Sequence, residues 1–421
     1  MTHLRRWCSF GHLSLIILVS ACGSSGASDV GPGAGSGGAP VAGGGGVPAA
    51  GAATGGNSGS SGSAASAGIA AAGGASIAGS GGSGGQVATG ECTPPTDVYA
   101  PLEKLSQTGC MDPTDPTKFA SRVIPYEVNS PLWSDNADKQ RGMVIPVGQK
   151  VHIKDCANET CTQTSDTGKW VFPVGTVMLK NFLFDNKLVE TRLFVHHDAD
   201  TWVGYSYQWD EAQTEATIVP DGRRAVMFNT GSRSVPWNYP SRTDCMKCHN
   251  APGGSTIGPQ TRQMNRMVSG MNQIDALIAK NVFDKAPAAP YQEALVTPYS
   301  GQAGTPPASA TTEQKARSYM EANCAFCHRP DDTDLGMVTI DLRITTAFKD
   351  MHLCNAPPVK GDNGVPTATL LTPNAPDQSL TWLRMNSLPM EGRMPQIGTS
   401  IIDTEGVKLI GDWIGTIKSC P

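Results

Sequence analysis

Two pentapeptides carry the chemistry most open to reading in this chain. Cys245-Met246-Lys247-Cys248-His249 and Cys324-Ala325-Phe326-Cys327-His328 repeat one arrangement, two thiols three positions apart followed at once by an imidazole. Two thiols at that spacing can each form a thioether with a vinyl group of one porphyrin, and the next residue then sets its imidazole under the iron as proximal ligand. The Cys and His content gives roughly 0.006 such motifs by chance, so two are no accident of composition. The rival is a zinc site built from two Cys-x-x-Cys pairs, which has no use for a His directly after each pair. The expected cofactor is therefore haem c, two per chain, with Cys245, Cys248, Cys324 and Cys327 as attachment points and His249 and His328 on the irons.

The segments that must position these motifs differ in character. Before the first motif, short β-branched and aromatic runs at Lys169–Pro173, Thr176–Phe182, Leu188–His196, Trp202–Trp209, Ala216–Val219 and Arg224–Phe228 alternate with turn residues. They predict an antiparallel β domain, sandwich or barrel, over 92–240. His196-His197-Asp198 suggests a metal site, but neighbours on a strand point to opposite faces, and a surface turn is the expectation. The first haem segment spans 241–310. Its clearest helical signal runs from Gln260 to Phe283, with Met264, Met267 and Met271 on one face. The sixth ligand of the first haem is open among Met264 or Met267, Met271, a His from the β domain, or none.

From Thr312 the pattern is helical. Ala316, Tyr319, Met320 and Cys324 recur at helical spacing, and Val407, Ile410, Trp413, Ile414 and Ile417 share a face behind Asp403 or Thr404. Between these segments lies Gly392-Arg393-Met394-Pro395. A helix running into Cys-x-x-Cys-His, a later Met-Pro loop and a C-terminal amphipathic helix resemble the small monohaem cytochrome c fold. That resemblance implies an all-α cytochrome c-like region over 311–421, with Met394 rather than Met390 as sixth ligand of the second haem. The fold class expected for the chain is thus multidomain α+β.

The remaining cysteines and the N-terminus set the compartment. Arg5 and Arg6, the apolar run Leu13 to Val19 and Val19-Ser20-Ala21-Cys22 read as a lipoprotein signal over 1–21, with Cys22 becoming the lipidated first residue. Gly23 resembles outer-membrane sorting. Residues 22–91 are a tether in which 25 of the 48 glycines fall between 23 and 90 with Asp29 as the sole charge. Such a tract cannot bury enough apolar surface to order itself, and its reach is ~45 Å. An exported chain with six further cysteines predicts three disulfides, fifteen pairings being possible; nearest neighbours give Cys92–Cys110, Cys156–Cys161 and Cys354–Cys420. Some of these could instead be buried thiols. A net charge of -5 argues against a nucleic-acid partner, and no run of ~18 apolar residues is present.

A further resemblance covers the chain from about Cys110 to its end. Asn129-Ser130-Pro131-Leu132-Trp133-Ser134-Asp135, Phe172-Pro173 with Gly175-Thr176, Val189-Glu190-Thr191-Arg192-Leu193, Gly204-Tyr205-Ser206-Tyr207 and Tyr239-Pro240-Ser241-Arg242 are similar to motifs of a family of exported dihaem c-type cytochromes. So are Asn323 before Cys324, Cys327-His328-Arg329-Pro330, Asp341-Leu342-Arg343 and Arg393-Met394-Pro395. The resemblance implies electron transfer between exported redox protein partners and names no substrate. Two other classes stay open: a dihaem peroxidase with one open iron, and a haem-containing sensor or binding lipoprotein whose site is lined by Trp202, Tyr205, Tyr207 and Trp209.

Overall fold

The computed structural model describes residues 91–421 apart from 94, 162–165, 221–223, 252, 300–308, 331–339 and 389–391. The export signal, Cys22, most of the glycine-rich tract and Met390 lie outside the described residues.

The strands are β1 (Ile124–Pro125), β2 (Asp138–Val144), β3 (His152–Ile153), β4 (Trp170–Val171), β5 (Val177–Phe184), β6 (Lys187–Asp198), β7 (Thr201–Trp209), β8 (Ala216–Ile218), β9 (Arg224–Asn229) and β10 (Ser234–Tyr239). Six of them form one antiparallel sheet in the order β1-β2-β5-β6-β7-β8. Hairpin connections join β5, β6 and β7, and the turn at Asp185-Asn186, both with positive φ, suits the right-handed twist of the strands it joins. β9 and β10 pair as a separate ribbon. Among the described residues the sheet is open, with β1 and β8 at its edges, and does not close into a barrel.

Period-two alternation gives this sheet two unlike faces. One is largely apolar: Val177, Leu179, Leu193, Val195, Val203, Tyr205, Tyr207 and Trp209 pack on Leu105 and the Cys92–Cys110 disulfide, with Asn181 and Thr191 buried among them and hydrogen-bonded to each other. Burying each large side chain contributes ~1.5–3 kcal/mol, so this face is the main anchor of the sheet. Tyr205, Tyr207 and Trp209 are therefore buried core residues, and Tyr205 also borders the cleft that both Cys-x-x-Cys-His motifs line.

The other face is graded across the strands. Met143, Met178 and Phe194 stand in register and join Trp202, Met264, Ile274 and Phe283 in a second cluster. Next comes the row Arg141, Lys180, Arg192 and Ser206. Lys139, Phe182, Glu190 and Gln208 follow, and Phe182 and Phe184 pack against Trp237 of the β9–β10 ribbon.

The helices correct two expectations. Among the described residues they are α1 (Arg242–Cys248), α2 (Thr261–Met264), α3 (Gln273–Ala279), α4 (Thr312–Asn323), α5 (Leu380–Met385) and α6 (Thr404–Thr416). The single helix expected over 260–283 is split between α2 and α3 by the hairpin β11 (Met267–Val268) and β12 (Met271–Asn272). Ser269 and Gly270, both at positive φ, make its two-residue turn. The all-α cytochrome c-like region expected over 311–421 does not form. The described residues between α4 and α5 hold only two 3-10 turns, Phe348–Asp350 and Pro376–Gln378, and are otherwise loop, because Pro357, Pro358, Pro366, Pro373 and Pro376 interrupt the chain and Asn355, Asn363 and Asn374 turn it at positive φ. The protein is β-rich, with short helices set in long loops.

α4 and α6 do pack together. Asp403 caps α6 by accepting from the Gly406 amide at 2.9 Å, and it also accepts from the hydroxyls of Tyr299 at 2.6 Å and Tyr319 at 3.0 Å. All three disulfides are the nearest-neighbour pairs: Cys92–Cys110, Cys156–Cys161 and Cys354–Cys420. No helix of the described residues is long and apolar enough to cross a membrane.

Candidate functional site

The first motif is delivered by α1. Ser241 opens this helix with a reciprocal cap: its hydroxyl accepts from the Asp244 amide at 3.1 Å, and the Asp244 carboxylate accepts from the Ser241 amide at 3.3 Å. Three-residue spacing puts Cys245 and Cys248 on one side of the helix. That helix lies against β7 at Gly204, where any side chain would meet Cys245: an added Cβ falls 2.7 Å from its Sγ. The helix stops at His249, whose amide donates to the Cys245 carbonyl at 2.9 Å. A carbonyl only accepts, so the 2.6 Å contact from His249 Nδ1 to the Ser255 carbonyl places the proton on Nδ1 and the lone pair on Nε2. Burial, reinforced by Lys180 and partly offset by that hydrogen bond, pushes the His249 pKa down to about 3, so the ring is neutral. A neutral imidazole anchored through Nδ1 to a carbonyl is the form that binds a metal through Nε2.

The second motif follows α4, whose Thr311 hydroxyl caps the Gln314 amide at 3.2 Å. The Cys324 amide continues the helical pattern to Met320, and the His328 amide returns to Cys324 at 2.9 Å. Asn323 holds this end in place. Its side chain accepts from the Trp133 amide at 2.8 Å and donates to the Tyr319 carbonyl at 3.0 Å.

Both motifs open into one cleft with a cavity volume of about 310 Å³, within the ~300–1,000 Å³ range of ligand and cofactor sites. Cys245, Cys248, His249, Cys324, Cys327 and His328 all line it. The two motifs also touch. The Cys327 thiol donates to the Lys247 carbonyl at 3.6 Å, and Cys248 is hydrogen-bonded to Cys327, which holds its pKa below the usual thiol range. Burial pushes Cys245 up to about 11 and Cys324 up to about 12, so both are thiols in the bare protein. Among the described residues no three Cys, His, Asp or Glu side chains converge as a zinc site requires.

The expected sixth ligands part company here. Met394 lines the cleft, its amide donating to the Arg384 carbonyl at the end of α5 at 3.0 Å. Arg393 beside it donates to the Thr399 hydroxyl at 2.6 Å and the Ile401 carbonyl at 2.9 Å, fixing the loop. Met264 does not reach the cleft: it is fully buried in the second apolar cluster, and its sulfur accepts from Gln273 Nε2 at 3.4 Å. Met267 and Met271 sit on the hairpin that splits the expected helix, 63% and 52% exposed. His196 and His197 are strand residues rather than a surface turn. His196 stacks on Trp202 at 4.3 Å and His197 bonds the Tyr205 hydroxyl at 2.8 Å, on opposite faces as alternation requires.

Met178, Lys180 and Met385, not singled out from the sequence, also line the cleft, as does Arg192, which figured only in a family motif. Alternation along β5 carries the signal for Met178 and Lys180, since both fall on the face opposite Leu179. The segment Asn129–Asp135 works as a strap. Ser130 donates to the Ser318 carbonyl of α4 at 2.8 Å, and Asp135 accepts from the amides of Ser400 and Ile401 at 2.8 to 3.1 Å. It ties α4 and the Met394 loop to the sheet.

Comparison with protein-family models, curated proteins and solved structures found no match.

Proposed function

We propose that this chain is a dihaem c-type cytochrome relaying electrons between exported redox proteins, held at the outer membrane by lipid on Cys22. The observation that carries this reading is the shared cleft: two Cys-x-x-Cys-His motifs far apart in sequence line one cavity, with His249 already anchored through Nδ1. Haem, when bound, supplies a one-electron iron couple. The chain's own part is to hold and shield. Cys245 and Cys248, and Cys324 and Cys327, offer paired thiols for attachment; His249 and His328 offer imidazoles; Met394 stands on a braced loop in the same cleft. Phe194, whose ring centroid lies 4.3 Å from that of His249, packs the sheet side of the first site.

The test is haem content. Purified mature protein expressed with a c-type maturation system should carry two haems that survive acid extraction, with the chain mass raised accordingly. One haem, or zinc in place of haem, overturns the reading. A high-spin signal on one haem of the native protein would instead favour the dihaem peroxidase.

A further inference from the structure

We infer that Lys180 and Arg192, which line the cleft with Arg141 beside them on the sheet, form a carboxylate-binding strip that takes the propionate carboxylates of the haems attached there. This rests on the dihaem reading and assigns these residues a role within it.

Register makes the case. Arg141 is paired directly with Lys180, and Lys180 with Arg192, so three cations stand side by side across three adjacent strands. Directly opposed residues hold their Cβ atoms ~4.5–5.5 Å apart, and like charges in that relation oppose pairing. The row is partly removed from water, the Arg192 side chain being 27% exposed. Arg141 is 8% exposed, and Lys180 and Arg192 stand in the cleft wall between two apolar clusters. Buried cations are costly unless anions meet them.

Among the described residues few anions meet this row. Glu190, fully buried, is spent on Arg192 through contacts of 2.7 and 2.8 Å, and it also accepts from Trp237 at 2.9 Å. Glu127 lies 3.9 Å from Arg141. Among the described residues no carboxylate pairs with Lys180, whose ammonium is 5.9 Å from the Phe182 ring. Lys180 and Arg192 line the cavity that holds the four motif thiols. An anion arriving with whatever those thiols bind would meet the unmatched charge, and each haem brings two carboxylates.

The test uses the full-length holoprotein with Lys180→Gln and Lys180→Arg, reading the haem propionate bands by resonance Raman and the midpoint potential of each haem by spectroelectrochemistry. Lys180→Gln should move the propionate band of one haem. It should also shift that haem's redox equilibrium about tenfold toward the oxidised form, ~59 mV for one electron, because a cation favouring the added electron is gone. Lys180→Arg should leave both readouts near wild type. An unmoved propionate band in Lys180→Gln overturns the assignment. Added citrate supplies the other source of carboxylate: if it shifts the wild-type potential but not that of Lys180→Gln, with propionate bands unmoved, the strip takes an external acid and the inference is wrong. Failure of Lys180→Gln alone to mature, rescued in Lys180→Arg, is the expected charge requirement; failure of both contradicts it. Wild-type protein lacking haem sinks the dihaem reading itself, a result distinct from all of these.

Discussion

Cys248 and Cys327 meet thiol to thiol, although they belong to different motifs, one at the end of α1 and the other in the turn after α4. Cys327 also reaches the carbonyl of Lys247, eighty residues earlier, at 3.6 Å. The loop after the first motif packs on the second as well: a Cβ on Gly253 would stand 3.3 Å from the carbonyls of both Cys248 and Phe326. The two Cys-x-x-Cys-His motifs therefore adjoin in one place rather than standing apart.

The seat of α1 on β7 gives a local test. In Gly204→Ala the new methyl would lie 2.7 Å from Cys245 Sγ, against a strand that cannot shift without breaking its register. Attachment at the first motif should fall while the second stays loaded, seen as a chain mass with one haem. Gly415 in α6 has no neighbour within 4 Å of an added Cβ, so Gly415→Ala should keep both haems and raise stability by ~0.5–1 kcal/mol.

Met394 is tested against a neighbour in the same cleft. Met394→Ala should open one iron, giving a high-spin band on that haem and new binding of carbon monoxide. Met385→Ala, also in the lining, should leave the spectrum unchanged. The reverse pattern would move the axial role to Met385.

The disulfides differ in the loops they close. Cys354–Cys420 spans a separation of 66 residues and Cys156–Cys161 one of 5. Chain entropy then assigns ~4 kcal/mol to the first and ~2 kcal/mol to the second. Denaturant unfolding of Cys420→Ser should therefore show about twice the loss seen for Cys156→Ser; equal losses would mean the longer loop is already constrained in the unfolded chain.

His152 carries a pH dependence. Its ring nitrogens lie 2.8 Å from Asp284 and from Glu159, and hydrogen bonding to Asp284, with a further contribution from Glu159, raises its pKa above 6.5. A raised folded-state pKa means that the stabilisation is fully present below ~6.5 and fades as pH climbs through the folded value. The site is 41% exposed, so the effect belongs in the ~0–1 kcal/mol range of solvated pairs. Wild type should exceed His152→Gln in stability at pH 5 and match it at pH 9; a difference independent of pH would show that the contact is not ionic.

Sequence pattern reached some parts of this molecule and not others, for identifiable reasons. β5, β6 and β7 were readable from their β-branched and aromatic runs, and the disulfides from proximity in sequence. β2 was hidden because Asp138-Lys139-Gln140-Arg141-Gly142 is polar enough to pass for a loop. It is a strand whose Arg141 stands beside Lys180 of the cleft wall, so the polar run that masked it supplies the neighbour of a lining residue. β10 was obscured by Pro236 in its middle. The Met264 to Met271 stripe had helical spacing, but Ser269-Gly270 could turn the chain more cheaply than a helix could absorb them. The motif cysteines were legible as two sites; that they serve one cleft depends on the Asn129–Asp135 strap, whose long-range bonds no local pattern displays.

The shared cleft is tested most directly by circular dichroism in the Soret region of the fully loaded protein. Two porphyrins held side by side couple their transitions and give a bisignate band, which should collapse to a single weak band when Cys324→Ala and Cys327→Ala together remove the second attachment. A native spectrum equal to the sum of two independent haems, unchanged in shape when one is removed, would contradict the single cleft.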